Sequence, residues 1–319
     1  MNYNYTLVDW LLFFYIYCFI GWCIESTFVS VKQKKFVNRG FMRGPFLPLY
    51  GSGAVLMLYV SIPVRNNLLM IFLAGCIAAT ILEYITGVAM EALFKVRYWD
   101  YSDQPFNFQG HICLSSSIAW GFLTIALVKF IHAPVEDLVL SLNDSLASIA
   151  ATALTVIIAA DLALSFKAAL DIRNMLEKMT KAKEELVKIQ TRLDAIIAFS
   201  DTSFSDRPSD RETQRESFTQ TARTQLGELM QGIRERLDTL AKSAFDNNSQ
   251  KENTAQYREE LEKLREKFII EREKRNYLRE RLGFYKRDML KSHPTANSRK
   301  FKDAFIELKS AAEERKKKK

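Results

Sequence analysis

Four carboxylates stand where a carboxylate is costly. Glu25, Glu83, Glu91 and Asp161 lie within or at the ends of long apolar runs of a 319-residue chain. In hydrocarbon an ionised carboxylate needs a bundle interior, a cavity or a partner charge. Such groups can hold a cation or polar solute, or take up and release a proton. The competing reading pairs them with basic or hydroxyl side chains that fix helix packing. Glu83, Gly87 and Glu91 recur every four residues and share one helical stripe. Glu25 lies roughly 10 Å before the first basic cluster if the intervening residues are helical. Asp161 has a similar expected depth, so Glu25 and Asp161 are candidates to converge.

Two connections carry further candidates. Residues 39–53 read RGFMRGPFLPLYGSG, in which Arg39 and Arg43 have the chemistry to bind phosphate or lipid head groups. The plain alternative is a basic anchor followed by a tight turn shaped by Gly40, Gly44, Pro45 and Pro48. The segment lacks the lysine and hydroxyl of a GxxxxGK[ST] phosphate loop. Residues 97–114 read RYWDYSDQPFNFQGHICL. Tyr98, Trp99 and Tyr101 suit an interfacial aromatic belt, while Asp100, Asn107 and His111 could orient a ligand or move a proton. Arg97 and Asp100 could equally form a local pair. His111 has no second histidine at ligand spacing, and Cys18, Cys23, Cys76 and Cys113 form no CxxC pair. No metal site, disulfide or intrinsic cofactor is expected.

Five apolar segments must position these residues, at about 9–31, 46–63, 68–91, 112–131 and 138–165, against the ~20 residues needed to cross ~30 Å of hydrocarbon. The second is short and holds Gly51 and Gly53, and Asn143 and Asp144 shift the effective start of the fifth toward Leu146. Only helices satisfy their own backbone in lipid, so a helical bundle is expected. Lys32, Lys34, Lys35, Arg39 and Arg43 crowd the first connection, Lys95 and Arg97 the third, and Lys167 and Arg173 follow the fifth segment. The second connection has only Arg65, and the fourth region only Lys129. This alternation predicts an outside N-terminus and a cytoplasmic C-terminus. No Lys or Arg precedes the first apolar run and no small-residue cleavage site follows it, so that run is expected to stay as a span.

Composition divides at the same place. Residues 1–166 hold nine Lys/Arg and ten Asp/Glu, whereas residues 167–319 hold 36 and 27. The cationic surplus of the extension suits an anionic membrane surface better than nucleic acid, because its charges are interleaved and no aromatic stacking module accompanies them. Ile172, Leu176, Met179, Leu186, Leu193 and Ile197 make an imperfect helical stripe over 167–199, with Lys183 and Gln190 at positions a strong coiled coil would fill with apolar residues. A polar linker with Pro208 is expected at 200–217. Beyond it come stretches from Ala222 to Ala244 and from near Tyr257 to Leu282, the latter interrupted by Glu271 and Arg275, and a last short helix near 299–314 after Pro294. Folding together, self-association and partner docking would each hide these apolar faces. The Lys316–Lys319 tail reads as solvated.

The order GWCIE (21–25), NRGFMRGPFLPLYGSG (38–53), EYITGVAMEALF (83–94), YWDYS (98–102), NFQGHICL (107–114) and Trp120–Gly121 resembles the bacterial ABC-transporter permease family, type IV, over roughly residues 10–165. The resemblance implies a multi-pass bacterial plasma-membrane protein and a permease component, with ATP entering only through a separate ATPase, since this chain has no nucleotide-binding cassette motif. The expectation is an all-α membrane bundle with a helical, partly coiled-coil-like cytoplasmic extension, acting as a permease subunit for an unidentified solute and more simply without catalysis of its own. A membrane scaffold is the alternative, and an enzyme on a lipid-linked substrate, using Arg39, Arg43, Asp100 and His111 together, the third. Lipids, a cytoplasmic ATPase or scaffold partner, and a second copy of the chain are the partners considered.

Overall fold

A computed structural model describes residues 5–200, 221–246 and 251–314. The chain divides into two compact units. One comprises residues 1–173 together with 283–300, and the other comprises 174–282 and 301–319. The expected linker, apart from Ser200, and the Lys316–Lys319 tail lie outside the described residues, as do the side chains of Ile197, Ala222, Ala244 and Tyr257.

In the membrane unit α1 spans Leu7–Gln33 and starts on a reciprocal cap between Thr6 and Asp9. It is followed by α2 (Pro48–Ser61), which begins on Pro48, a residue that loses no helical hydrogen bond at that position. Next comes α3 (Leu68–Phe94), capped by Asn67, whose side chain accepts from the N–H groups of Leu69 and Met70. Then α4 (Leu114–Ala126) continues through a π-helical stretch, Leu127–Ile131, into α5 (His132–Leu140). Pro134 has no N–H for the carbonyl of Phe130, and the widened turn lies directly before it. Last, α6 begins at Asp144 and extends to Ser200.

Four helical stretches, Leu7–Gln33, Leu68–Phe94, Leu114–Leu140 and the one from Asp144, are long and apolar enough to cross a bilayer. The segment expected to be the second crossing is shorter: 14 residues of α2 rise only about 21 Å. The fourth stretch runs to Leu140 rather than 131, and the fifth starts at Asp144 instead of 138. Asn143 explains that boundary, because its side chain accepts from the N–H of Leu146 and so begins a new helix.

The bundle core joins α1, α2, α3, α5 and α6 through Leu12, Phe13, Tyr17, Met57, Ala79, Val139 and Ala151. Small residues let the helices approach closely. A Cβ on Gly51 would stand 2.3 Å from the Cys18 sulfur and 2.7 Å from the carbonyl oxygen of Phe14, and one on Gly75 would stand 2.0 Å from Thr124 Oγ1. Because Phe14 opposes Gly51 with backbone, relief requires α1 and α2 to separate. Gly51→Val is therefore expected to cost about 1–3 kcal/mol by overpacking, read as a lower melting temperature of detergent-purified protein. An unchanged melting curve would mean that this contact can yield.

Residues 283–300, which the sequence reading assigned to the extension, belong to the membrane unit. They form α9 (Phe284–Ser292) and a strap that makes a two-residue bridge with the 95–113 connection. The N–H of Arg97 donates to the carbonyl of Asn297 and the N–H of Asn297 to the carbonyl of Arg97, at 2.8 and 3.1 Å. The same connection holds a small hairpin, β1 (Asn107–Phe108) paired antiparallel with β2 (Ile112–Cys113).

The second unit is a helical bundle made of α6 from Asn174, α7 (Thr221–Asp246), α8 (Lys251–Glu280) and α10 (Lys302–Glu314). Its core contains Leu186, Leu193, Ile233, Leu237, Leu264 and Phe268. The amphipathic faces are thus buried against one another within the chain. Arg275, read from the sequence as an interruption, is buried in an ion pair with Glu307 and donates to the carbonyl of Met179.

Candidate functional site

The membrane unit encloses a cavity of about 750 Å³, lined from α1, α2, α3, α4, α6, both basic-rich connections and His293 of the strap. That volume lies in the range of small-molecule sites. Two of the four expected carboxylates, Glu25 and Glu83, line it.

Glu83 is buried in the middle of α3 and receives three donors from outside that helix. Tyr101 Oη donates to its Oε1 at 3.1 Å, and Trp120 Nε1 and Ser116 Oγ reach its Oε2 at 3.0 and 3.3 Å. Burial, then the Glu83 charge, push the Tyr101 phenol above its ordinary pKa, which keeps it a proton donor. Glu25 accepts from Tyr50 Oη at 2.7 Å, and Arg39 Nε stands 3.9 Å from its other oxygen. Arg39 also donates to the carbonyl of Ser292 at 3.2 Å. Burial lowers the Arg39 pKa, with Glu25 acting against that shift. Tyr50 packs beside Trp120 with ring centroids 5.5 Å apart. The polar end of the cavity thus combines two carboxylates, one guanidinium and aromatic rings. Its remaining walls are apolar, from Ile85, Met90, Leu93, Leu123, Leu162 and Phe166.

The other candidates serve the loops. Asp161 does not meet Glu25 as a partner; its Oδ2 accepts from the N–H of Gly44 at 2.8 Å and so anchors the 34–47 connection. Arg43 lies over the rings of Phe284 and Tyr285 at 4.5 and 5.0 Å, a cation–π contact with α9. Arg97 is buried between Glu91, at 2.8 Å, and Asp100, at 3.4 Å. Glu91 also faces His111 Nε2 at 3.1 Å. Burial and Arg97 lower the His111 pKa against the pull of Glu91, which favours the neutral ring. Trp99 Nε1 donates to the carbonyl of His111 at 3.0 Å, and both residues flank Gly87. Asn107 closes the hairpin by donating to the carbonyls of Ser102 and Gln104 and accepting from the N–H of Gly110. Arg39, Arg43, Asp100 and His111, considered together as a lipid-acting set, have separate partners. The described residues contain no cluster of His, Cys, Asp or Glu suited to a metal ion, and all four cysteines are free.

Asp100 ties the strap to this network. Its Oδ1 accepts from the N–H and Oγ of Ser102, and its Oδ2 accepts from Asn297 Nδ2 at 2.7 Å. Burial alone would raise the Asp100 pKa; the hydrogen bonds from Ser102 and Asn297 and the Arg97 charge outweigh it and hold the carboxyl below its ordinary value. Asn297→Asp therefore sets a second carboxylate against an ionised one. We expect the strap to loosen by about 1–2 kcal/mol, seen as faster tryptic cleavage at Lys291 and Arg299 in the purified protein. Cleavage at the wild-type rate would show that this bond does not hold the strap.

Sequence reading missed Tyr50, Tyr101, Ser116 and Trp120 as the donors that surround the carboxylates. It also missed a second buried polar cluster, in which His132 Nδ1 meets Tyr17 Oη at 2.8 Å and Tyr5 Oη donates to Glu136 at 2.8 Å. His132 and Glu136, four residues apart, were the available signal for it.

Residues 12–166 match the family model described as Putative ABC-transporter type IV. No curated protein and no solved structure matches the chain. The matched segment contains both carboxylates of the cavity and the two connections that close over it, and as a member of that family residues 12–166 of this chain form a Putative ABC-transporter type IV domain.

Proposed function

We propose that the membrane unit is a permease-type subunit that binds its cargo in the cavity around Glu25 and Glu83. The observation that carries this reading is the placement of both carboxylates at an open cavity of about 750 Å³. Glu25 keeps a side-chain exposure of 30% beside Arg39, and Glu83 lines the same cavity while Tyr101, Trp120 and Ser116 hold it in place. The family match supports a transport-related role. ATP hydrolysis, where it drives the cycle, comes from a separate polypeptide. The basic-rich 34–47 and 95–113 connections gather at the strap-bearing end, which supports a cytoplasmic position for that end and an outside N-terminus.

Purified protein reconstituted into liposomes, with and without a co-purified ATPase, tests the reading through a solute-flux screen. Saturable flux that falls on Glu83→Gln is the expected result. Absence of both flux and bound solute across the screen would remove it. The independent core of the second unit favours a second reading, in which that bundle anchors a partner. Cross-linking in native membranes should then capture one reproducible protein through residues 174–282, and its absence would count against anchoring.

A further inference from the structure

The cavity is closed on one side and open on another. At the loop end His293 of the strap packs edge-on against Tyr98, with ring centroids 4.8 Å apart, and both residues line the cavity. Arg39, held to the carbonyl of Ser292, closes the same end. The flank differs. Ile85 and Leu93, two turns apart on α3, line the cavity yet are 58% and 45% exposed. Leu162 and Phe166, one turn apart on α6, do the same at 39% and 38%. Residues spaced by four share a helix face. These pairs flank an apolar opening between α3 and α6, bridged at its Phe166 end by the ring of Phe94, with centroids 4.9 Å apart, in helices long and apolar enough to cross a bilayer.

The polar wall beside Arg39 has the reverse character of that flank. Glu25 and Glu83 stand in it with a single guanidinium beside them, and that guanidinium is already engaged by Glu25 and Ser292. Tyr50, Trp120 and Tyr101 surround the carboxylates. Carboxylates backed by aromatic rings attract a positive head through both charge and ring quadrupole, most strongly where water is scarce. An anionic head meets the uncompensated carboxylate, and a neutral one gains nothing from it. The apolar opening rewards a hydrocarbon body attached to that head.

We propose that the cavity binds a lipophilic cation, one positive nitrogen- or phosphorus-centred head on a hydrocarbon body, which enters from the bilayer through the opening between α3 and α6. The inference deepens the permease reading and rests on it for the fate of the bound molecule, not for the binding itself.

The test uses the full chain in lipid nanodiscs with four probes: tetraphenylphosphonium, dodecyltrimethylammonium, tetramethylammonium and dodecanol. The first two should bind saturably. Tetramethylammonium, which lacks the body, and dodecanol, which lacks the charge, should each bind at least about tenfold more weakly. Glu83→Gln should weaken both lipophilic cations by about tenfold or more while leaving the weak dodecanol binding unchanged. Ile85→Trp changes an exposed residue of the opening that the fold does not need, and it should slow or block entry of both cations even if Glu83→Gln fails to fold. Dodecanol binding as tightly as dodecyltrimethylammonium, or cation binding undiminished in both variants, would overturn the proposal. Flux of a small hydrophilic solute by protein that binds neither lipophilic cation would also overturn it and leave the permease reading intact. Binding of both cations without flux of any probe would sustain it and remove the permease reading.

Discussion

Glu83→Gln should cut transport by about tenfold or more while the protein remains folded, and Glu83→Ala should be recovered folded in far lower yield. The reason is the donor set. Tyr101, Trp120 and Ser116 all point hydrogens at one carboxylate. Glutamine can keep its oxygen toward Trp120 and Ser116 and turn its NH₂ to the Tyr101 hydroxyl, which then accepts, so what is lost is the stronger bonding to a charged acceptor. That costs about 1–3 kcal/mol, which a bundle of this size can bear as a lowered melting temperature. Alanine takes the acceptor from the Tyr101 and Trp120 donors, while Ser116 keeps the carbonyl of Cys113, and it also leaves a void; together these approach the few kcal/mol of a typical stability margin. Flux loss follows from removal of the charge, because the other carboxylate of the cavity, Glu25, already faces Arg39. Flux measured at equal amounts of folded protein separates the two effects. A glutamine variant with a lowered melting temperature and wild-type flux would confine Glu83 to packing.

The second large effect lies in the other unit. Arg275→Met should destabilise the helical bundle by about 3–5 kcal/mol, since it strands the buried Glu307 carboxylate and removes the donor to the Met179 carbonyl. Arg279, 3.6 Å from the same carboxylate, offsets part of that loss and sets the lower end of the range. The double variant Arg275→Met with Glu307→Leu should recover most of the stability, because an apolar pair of similar volume carries no desolvation penalty. Chemical denaturation of the full chain, followed by helical circular dichroism, reads both variants. A double variant as unstable as the single one would mean that the pair contributes specific geometry that packing cannot replace. Lys183, which pairs with Asp303 at a more exposed place in the same unit, should matter far less, within about 1 kcal/mol on substitution.

The sequence by itself determined the membrane half, the helical class and the danger points. A charged residue in an apolar run is costly wherever the run folds, so Glu25 and Glu83 were legible as groups in need of partners. The stripe Leu176, Met179, Leu186 and Leu193 was legible because a period near 3.6 survives any tertiary arrangement, and each of these side chains is buried. Where those faces went was not. Periodicity marks an apolar face without naming what covers it, and by that measure Arg275 counted only as a defect. Its role came from Glu307, 32 residues away on another helix.

The cavity was decided by tertiary structure. Glu83 takes its donors from positions 18 to 37 residues onward, and whether a hydroxyl or indole reaches it depends on how α3, α4 and the 95–113 connection converge. The strap was the least visible element. Residues 283–300 are mostly polar, contain Pro294 and show no apolar period. The strap's bridge to Arg97 runs through backbone N–H and carbonyl groups that every residue possesses. Such a contact leaves no mark in residue type. Segments that dock through backbone and single side-chain hydrogen bonds are specified by the surface that receives them, and that surface exists only once the bundle has formed.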